Sequence, residues 1–191
     1  MKTVTDWANL EGEEAHAAST GGLMTLRKWY DEPRAIMDLI SVYVSEGRRV
    51  ADLGCGVGRV SQPLSTRFHV ISIDRNINMP QACTTPLEVL PYGTPFDVTA
   101  VLSCYVMQHI PPENFPAHLQ LLQESHWAYL FLLESESPSD FPNFNFRNSF
   151  ESWATANNVT LISKRDWEFE PHVSVCVYKR SRHASHIPLE S

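Results

Sequence analysis

Val50-Ala51-Asp52-Leu53-Gly54-Cys55-Gly56-Val57-Gly58-Arg59 is an apolar run that ends in an acid, with three glycines following at alternate positions. Arg49 to Leu53 reads as a buried strand. The glycines then form a tight turn, since a residue without a Cβ lets the backbone bend there and approach a bound nucleoside. A short helix leaves the turn with its free N–H groups facing the ligand. Spacing bears on the choice of ligand. Dinucleotide-binding turns use G-x-G-x-x-G and aim a helix N-terminus at a pyrophosphate. Here the order is D-x-G-x-G-x-G, and a carboxylate at Asp52 repels phosphate but suits an ammonium group.

One strand later the chain reads Phe68-His69-Val70-Ile71-Ser72-Ile73-Asp74-Arg75, again apolar and again ending in an acid. Nucleoside-binding folds place a ribose-gripping carboxylate about twenty residues beyond the glycine turn. Asp74 can accept two hydrogen bonds from a vicinal diol, which serine or lysine cannot do. Arg75 has two readings, one along an adenine ring and one in solvent.

The two stretches together resemble the first motifs of the class I S-adenosylmethionine-dependent methyltransferases. The resemblance implies an α/β, Rossmann-like three-layer sandwich. Its sheet would be seven-stranded and mostly parallel, with an antiparallel last strand. It also implies S-adenosyl-L-methionine as cofactor. Asp52, Gly54, Cys55, Gly56 and Gly58 would carry its methionine half, with Asp52 close to the amino group. Asp74 and Arg75 would take the adenosine, and Ser103 would lie at the end of the fourth strand near the methyl group. Phe96-Asp97-Val98 through Ser103-Cys104-Tyr105-Val106-Met107-Gln108-His109-Ile110-Pro111 is similar to that fourth strand and the turn closing over the methyl-bearing sulfur. His109 is the candidate catalytic base, since an imidazole suits proton removal near neutral pH. Its other reading is a loop histidine held by a backbone hydrogen bond. Glu134 and Glu136, ending the fifth strand, are either substrate-binding acids or solvated ones.

Working outward, residues 1–30 read as an N-terminal arm or lid, 31–180 as the cofactor-binding domain and 181–191 as a flexible tail. The first helix is expected from Asp31-Glu32-Pro33, an acid and a proline in a first turn. Ile36, Leu39, Ile40, Tyr43 and Val44 continue it at helical spacing. Trp29 and Tyr30, and with them Trp7, either cover the cofactor mouth or pack under that helix. Between Asn76 and Pro95 the family's pattern is shortened. Prolines at 80 and 86 oppose a helix there, Leu87 to Leu90 offers a short third strand, and Glu88 is the available acid for the adenine. Helices are expected over Glu113 to Gln123 and Ser149 to Asn157. A fifth strand is expected over Trp127 to Leu133, then two alternating strands over Val159 to Lys164 and Val173 to Lys179. The loop from Ser135 to Asn148 has a length usually reserved for function.

The composition bounds the rest. The chain has 191 residues, 43% hydrophobic and 19% charged, which suits one globular domain with a sizeable core. A net charge of −7 disfavours a phosphate-gripping face, so a small-molecule substrate, and not nucleic acid, is the expected partner. No apolar run reaches membrane-span length, and Met1 to Asp6 lacks the apolar core of a signal peptide, so a cytoplasmic home is expected. Four cysteines without C-x-x-C pairing point to reduced thiols, and His183-x-x-His186 lacks a third ligand, so no metal is expected. Ser103-Cys104-Tyr105-Val106 has neither the paired prolines of amino-methylating DNA enzymes nor the Pro-Cys of cytosine-C5 enzymes. The expected activity is methyl transfer to an O, N or C nucleophile of a small molecule or an exposed protein or glycan group. The alternative is a non-catalytic cofactor-binding partner subunit. The sequence leaves the oligomeric state open.

Overall fold

The computed structural model describes residues 26–76, 88–135, 144–170 and 172–181. Seven strands form one sheet in the order β3-β2-β1-β4-β5-β7-β6. They are β1 (Arg49–Leu53), β2 (His69–Asp74), β3 (Glu88–Pro91), β4 (Ala100–Cys104), β5 (Tyr129–Ser135), β6 (Val159–Asp166) and β7 (Val173–Arg180). The first five pair in parallel, and β7 runs antiparallel to both β5 and β6. The described helices are α1 (Leu26–Ser41), α2 (Ser61–Leu64), α3 (Phe115–Glu124) and α4 (Phe146–Ala156), with a 3-10 turn at Met107–His109. This is the expected α/β architecture.

Alternation along each strand sends side chains to two separate cores. Val50, Val70, Leu102, Phe131 and Val177 face Ile36, Ile40 and Leu64 of α1 and α2. Ala51, Ile71, Val101, Leu130 and Cys176 face Phe115 and Leu122 of α3 and Phe150 of α4. A parallel sheet covered on both faces needs continuous apolar strands, and that is why β1, β2, β4 and β5 are buried from their second residue or earlier. Ile36 and Ile40 are wholly buried, each adding on the order of 1.5–3 kcal/mol. From β1 the chain winds outward through β2 and β3, then returns to place β4 on the other side of β1. That reversal opens a crevice beyond the strands' carboxyl ends.

Several boundaries differ from expectation. Helix α1 begins at Leu26, so Pro33 lies inside it; a proline removes one ladder hydrogen bond but leaves the upstream turns free to form. The fourth strand starts at Ala100 because Asp97 pairs only as an isolated bridge with His126. Arg180 donates to the carbonyls of Leu122, Gln123 and Ser125 at the end of α3 and lies 5.2 Å over the Trp127 ring. Trp7, most of the arm, residues 77–87 where a helix was not expected, Glu136 and most of the tail lie outside the described residues. No described helix is long and apolar enough to cross a membrane.

Candidate functional site

The glycine turn is lashed to the end of β2. Gly54 and Cys55 N–H both donate to the Ile73 carbonyl, at 2.7 and 3.2 Å, and Gly58 N–H donates to Cys55 O at 3.0 Å. Gly54, Gly56 and Gly58 have φ of +78°, +53° and +75°, a region where a side chain is strained. Gly54 has a second constraint: a Cβ there would collide with both methyls of Val106, from the loop after β4. Gly56 N–H donates to Asp74 Oδ2 at 2.9 Å, and Asn76 N–H donates to Asp74 Oδ1 at 2.9 Å. Turn and strand-end carboxylate are thus one unit, as their spacing suggested. Desolvation raises the Asp74 pKa against the pull of these N–H donors.

Asp52 is placed differently from expectation. Its carboxylate is 2% exposed and accepts from Ser61 Oγ at 2.6 Å, while Ser61 Oγ in turn accepts from Ser72 Oγ at 3.0 Å. Burial pushes its pKa up to about 6, with Ser61 and the nearby Arg59 charge opposing. The reason is the two-residue alternation of the strand: Asp52 projects under α2 with Val50, sideways from the crevice.

Glu32 is the unforeseen residue. It is fully buried on α1, pairs with Arg59 Nη1 at 2.8 Å, and accepts from Tyr105 OH at 2.8 Å and Trp167 Nε1 at 2.7 Å. One carboxylate therefore ties the glycine turn, the loop after β4 and the segment before β7 to α1. Tyr105 reaches it with φ of +60°, and that bend sets Val106 over Gly54. The acid in Asp31-Glu32-Pro33 was legible only as a helix-start signal; nothing local in the sequence marks partners so far along the chain.

Across β4 and β5 a second buried acid does similar work. Glu134 is 2% exposed, not solvated. Its Oε1 accepts from Ser103 Oγ and from Val106 and Met107 N–H, each at 3.1 Å. Burial raises its pKa to about 7 despite those donors. The Ser103 hydroxyl, expected at the cofactor, is fully buried and committed to Glu134. His109 ends the 3-10 turn, half-buried, with its Nε2 3.1 Å from Gln108 Nε2. Cys55 is buried with its thiol toward Gly56 O, and Arg75 is exposed beside Asp74. Glu88 is at the far end of β3: it pairs with Ile71, halfway along β2, and its side chain bridges Arg49 at 3.0 Å. It therefore lies away from the glycine turn. Among the described residues no group of His, Cys, Asp and Glu could hold a metal.

No family model and no curated protein matches the sequence. Solved structures match the fold. Magnesium protoporphyrin IX methyltransferase from Synechocystis PCC 6803, solved with bound S-adenosylmethionine, superposes with a TM-score of 0.68 at 17% identity, over 93% of this chain and 95% of that one. A TehB-like S-adenosylmethionine-dependent methyltransferase from Corynebacterium glutamicum gives 0.66 at 16% identity, over 87% and 99%. The PH0226 protein from Pyrococcus horikoshii gives 0.65 at 13% identity, over 81% and 92%. At such identities the likeness is one of fold, and the fold is that of the S-adenosylmethionine-dependent methyltransferases.

Proposed function

We propose that this chain binds S-adenosylmethionine beyond the ends of β1, β2 and β4 and transfers its methyl group to an O, N or C nucleophile. The acceptor would be a small molecule or an exposed protein or glycan group. One observation carries the reading: Asp74 is half-buried against the glycine turn with one backbone N–H on each carboxylate oxygen. Each oxygen keeps a lone pair for one hydroxyl of a vicinal diol. The donor set fits a ribose, and glycines with left-handed backbone at 56 and 58 put no side chain of their own into the turn. When bound, the cofactor would supply a methyl on a sulfonium, whose thioether leaves without help from an acid.

The chain's residues then have the tasks of holding, aligning and excluding water. Cys55, Gly56 and Gly58 present backbone to the methionine half, and Arg75 stands at the rim on the adenosine side. Asp52 and Ser103 act from behind. Asp52 holds Ser61 and the start of α2 under the turn, and Ser103 helps hold Glu134, which fixes the N–H groups of Val106 and Met107. A direct ion pair between Asp52 and an ammonium group is not part of the proposal, given the burial of that carboxylate. His109, in the turn after β4, is the group to take a proton from the acceptor.

Calorimetric titration of the full chain with S-adenosylmethionine and S-adenosylhomocysteine tests the first half, with Asp74→Ala as control. Both ligands should bind, and the variant should lose binding while melting close to the parent. Absence of heat with either ligand, or an Asp74→Ala protein binding as tightly as its parent, overturns the assignment. Methyl release against mixed acceptors tests the second half; binding without product favours a non-catalytic partner subunit.

A further inference from the structure

Tyr105 is a bulky residue held at φ +60°, a left-handed backbone that strains any residue with a Cβ and an aromatic one in particular. Such a conformation persists only where its surroundings enforce it. Two hydrogen bonds enforce this one. The Tyr105 N–H donates to the Leu133 carbonyl at 2.8 Å, and its hydroxyl donates to Glu32 Oε1 at 2.8 Å. Burial raises the Tyr105 pKa, so the hydroxyl keeps its proton and stays a donor. A hydrogen bond to a buried carboxylate outweighs the cost of one left-handed residue. The bend positions Val106. Its N–H turns to Glu134 Oε1 at 3.1 Å, and its methyls fill the space where a side chain at Gly54 would stand. On its β2 flank the glycine turn is hydrogen-bonded through Gly54, Cys55 and Gly56. On its β4 flank it rests on Val106. Glu32 also reaches the far end of the turn, pairing with Arg59 at 2.8 Å. One buried carboxylate thus bears on both ends, directly at Arg59 and through the Tyr105 hydroxyl at Gly54.

We propose that Tyr105 is a positioning residue for the cofactor: its hydroxyl bond to Glu32 holds a strained backbone that keeps Val106 against Gly54 and the turn in its binding shape. The role rests on the chain's binding S-adenosylmethionine as proposed above. Without the hydroxyl, residue 105 relaxes toward negative φ and Val106 swings away from Gly54. The Val106 N–H then leaves Glu134, and the turn loses its support on the β4 flank. Tyr105 acts through Val106 and need not touch the cofactor.

Two variants of the full chain separate backbone direction from packing. Tyr105→Phe removes the hydroxyl and keeps the ring on the α1-side core. Tyr105→Asn removes both, yet asparagine tolerates the left-handed backbone. Thermal melts should place the Asn variant lowest, since it loses the packed ring. Calorimetric titration with S-adenosylhomocysteine should rank the variants the other way. Tyr105→Phe should bind about tenfold more weakly than the parent, the size of one lost hydrogen bond, and Tyr105→Asn should bind more tightly than Tyr105→Phe. Amide hydrogen exchange in the ligand-free chain gives a second readout. The Val106 N–H should exchange faster in Tyr105→Phe than in the parent. Affinities that follow the melting order would make the ring a packing element only and overturn the proposal. So would parental affinity, or parental exchange at Val106, in Tyr105→Phe, and these two results decide alone where the Asn variant does not fold. A parent chain that binds no ligand overturns the cofactor reading and this role with it, whereas a parent that binds confines any failure to Tyr105.

Discussion

Removing the Glu32 side chain should unfold this protein more readily than any surface change. Glu32→Ala deletes a fully buried carboxylate with three partners, Arg59, Tyr105 and Trp167, all within 2.8 Å. Breaking a buried ion pair from one side costs about 3–5 kcal/mol, because the surviving charge stays desolvated. The Arg59 side chain is only 12% exposed, so water cannot reach it freely. Two further donors, the Tyr105 hydroxyl and the Trp167 indole, lose a charged acceptor, each worth on the order of 1.5–3 kcal/mol taken alone. These losses overlap, and the Asp52 carboxylate near Arg59 softens them. A loss of about 4 kcal/mol results, a large share of the 5–15 kcal/mol that holds a typical domain. Equilibrium urea unfolding followed by tryptophan fluorescence reads it, since Trp167 is itself a partner. Combining Glu32→Leu with Arg59→Met removes both charges and should recover most of the loss. A Glu32→Ala loss below about 1 kcal/mol, or a double variant as unstable as the sum of its parts, would show that this carboxylate does not organise the site.

Gly54→Ala should lose roughly 2–4 kcal/mol, combining left-handed strain with the clash against Val106. Val106→Ala in the same chain should restore the steric share only, and thermal melts showing no rescue would refute the packing argument. Glu134→Gln should change the pH dependence of stability. The raised pKa of Glu134 favours the fold fully below pH 4.5, and that contribution fades as pH rises through about 7. The stability difference should therefore move in the variant's favour by roughly 3 kcal/mol across that window and stay level above it. Parallel unfolding at several pH values checks this, and a pH-independent difference would rule out buried ionisation. His118, buried and pushed down to about 4 by desolvation, should act in the opposite sense. Its contribution is complete above the ordinary histidine range and is lost as pH falls from about 6.5 toward 4, so His118→Gln should flatten the acid limb of the stability profile. If His109 takes the acceptor's proton, His109→Gln should lower kcat by about 100-fold or more with cofactor affinity unchanged; equal turnover would remove it from the mechanism.

Local pattern carried the architecture. The apolar runs at 50–53, 70–73, 101–104 and 130–133 mark buried parallel strands, because a sheet covered on both faces tolerates little else. Alternate glycines mark a left-handed turn, since other residues resist that backbone. An acid ending the next strand falls beside the turn because neighbouring parallel strands end together. Side-chain direction was a different matter. Asp52 turned under α2, Ser103 turned to Glu134, and Glu88 came to rest at the wrong end of β3; each outcome depends on strand register and on which face a neighbour occupies. Glu32 and Glu134 were the furthest from view. Their partners come from segments as much as 135 residues apart in the chain, and a buried carboxylate is decided by what the whole fold packs around it, which no short stretch of sequence contains.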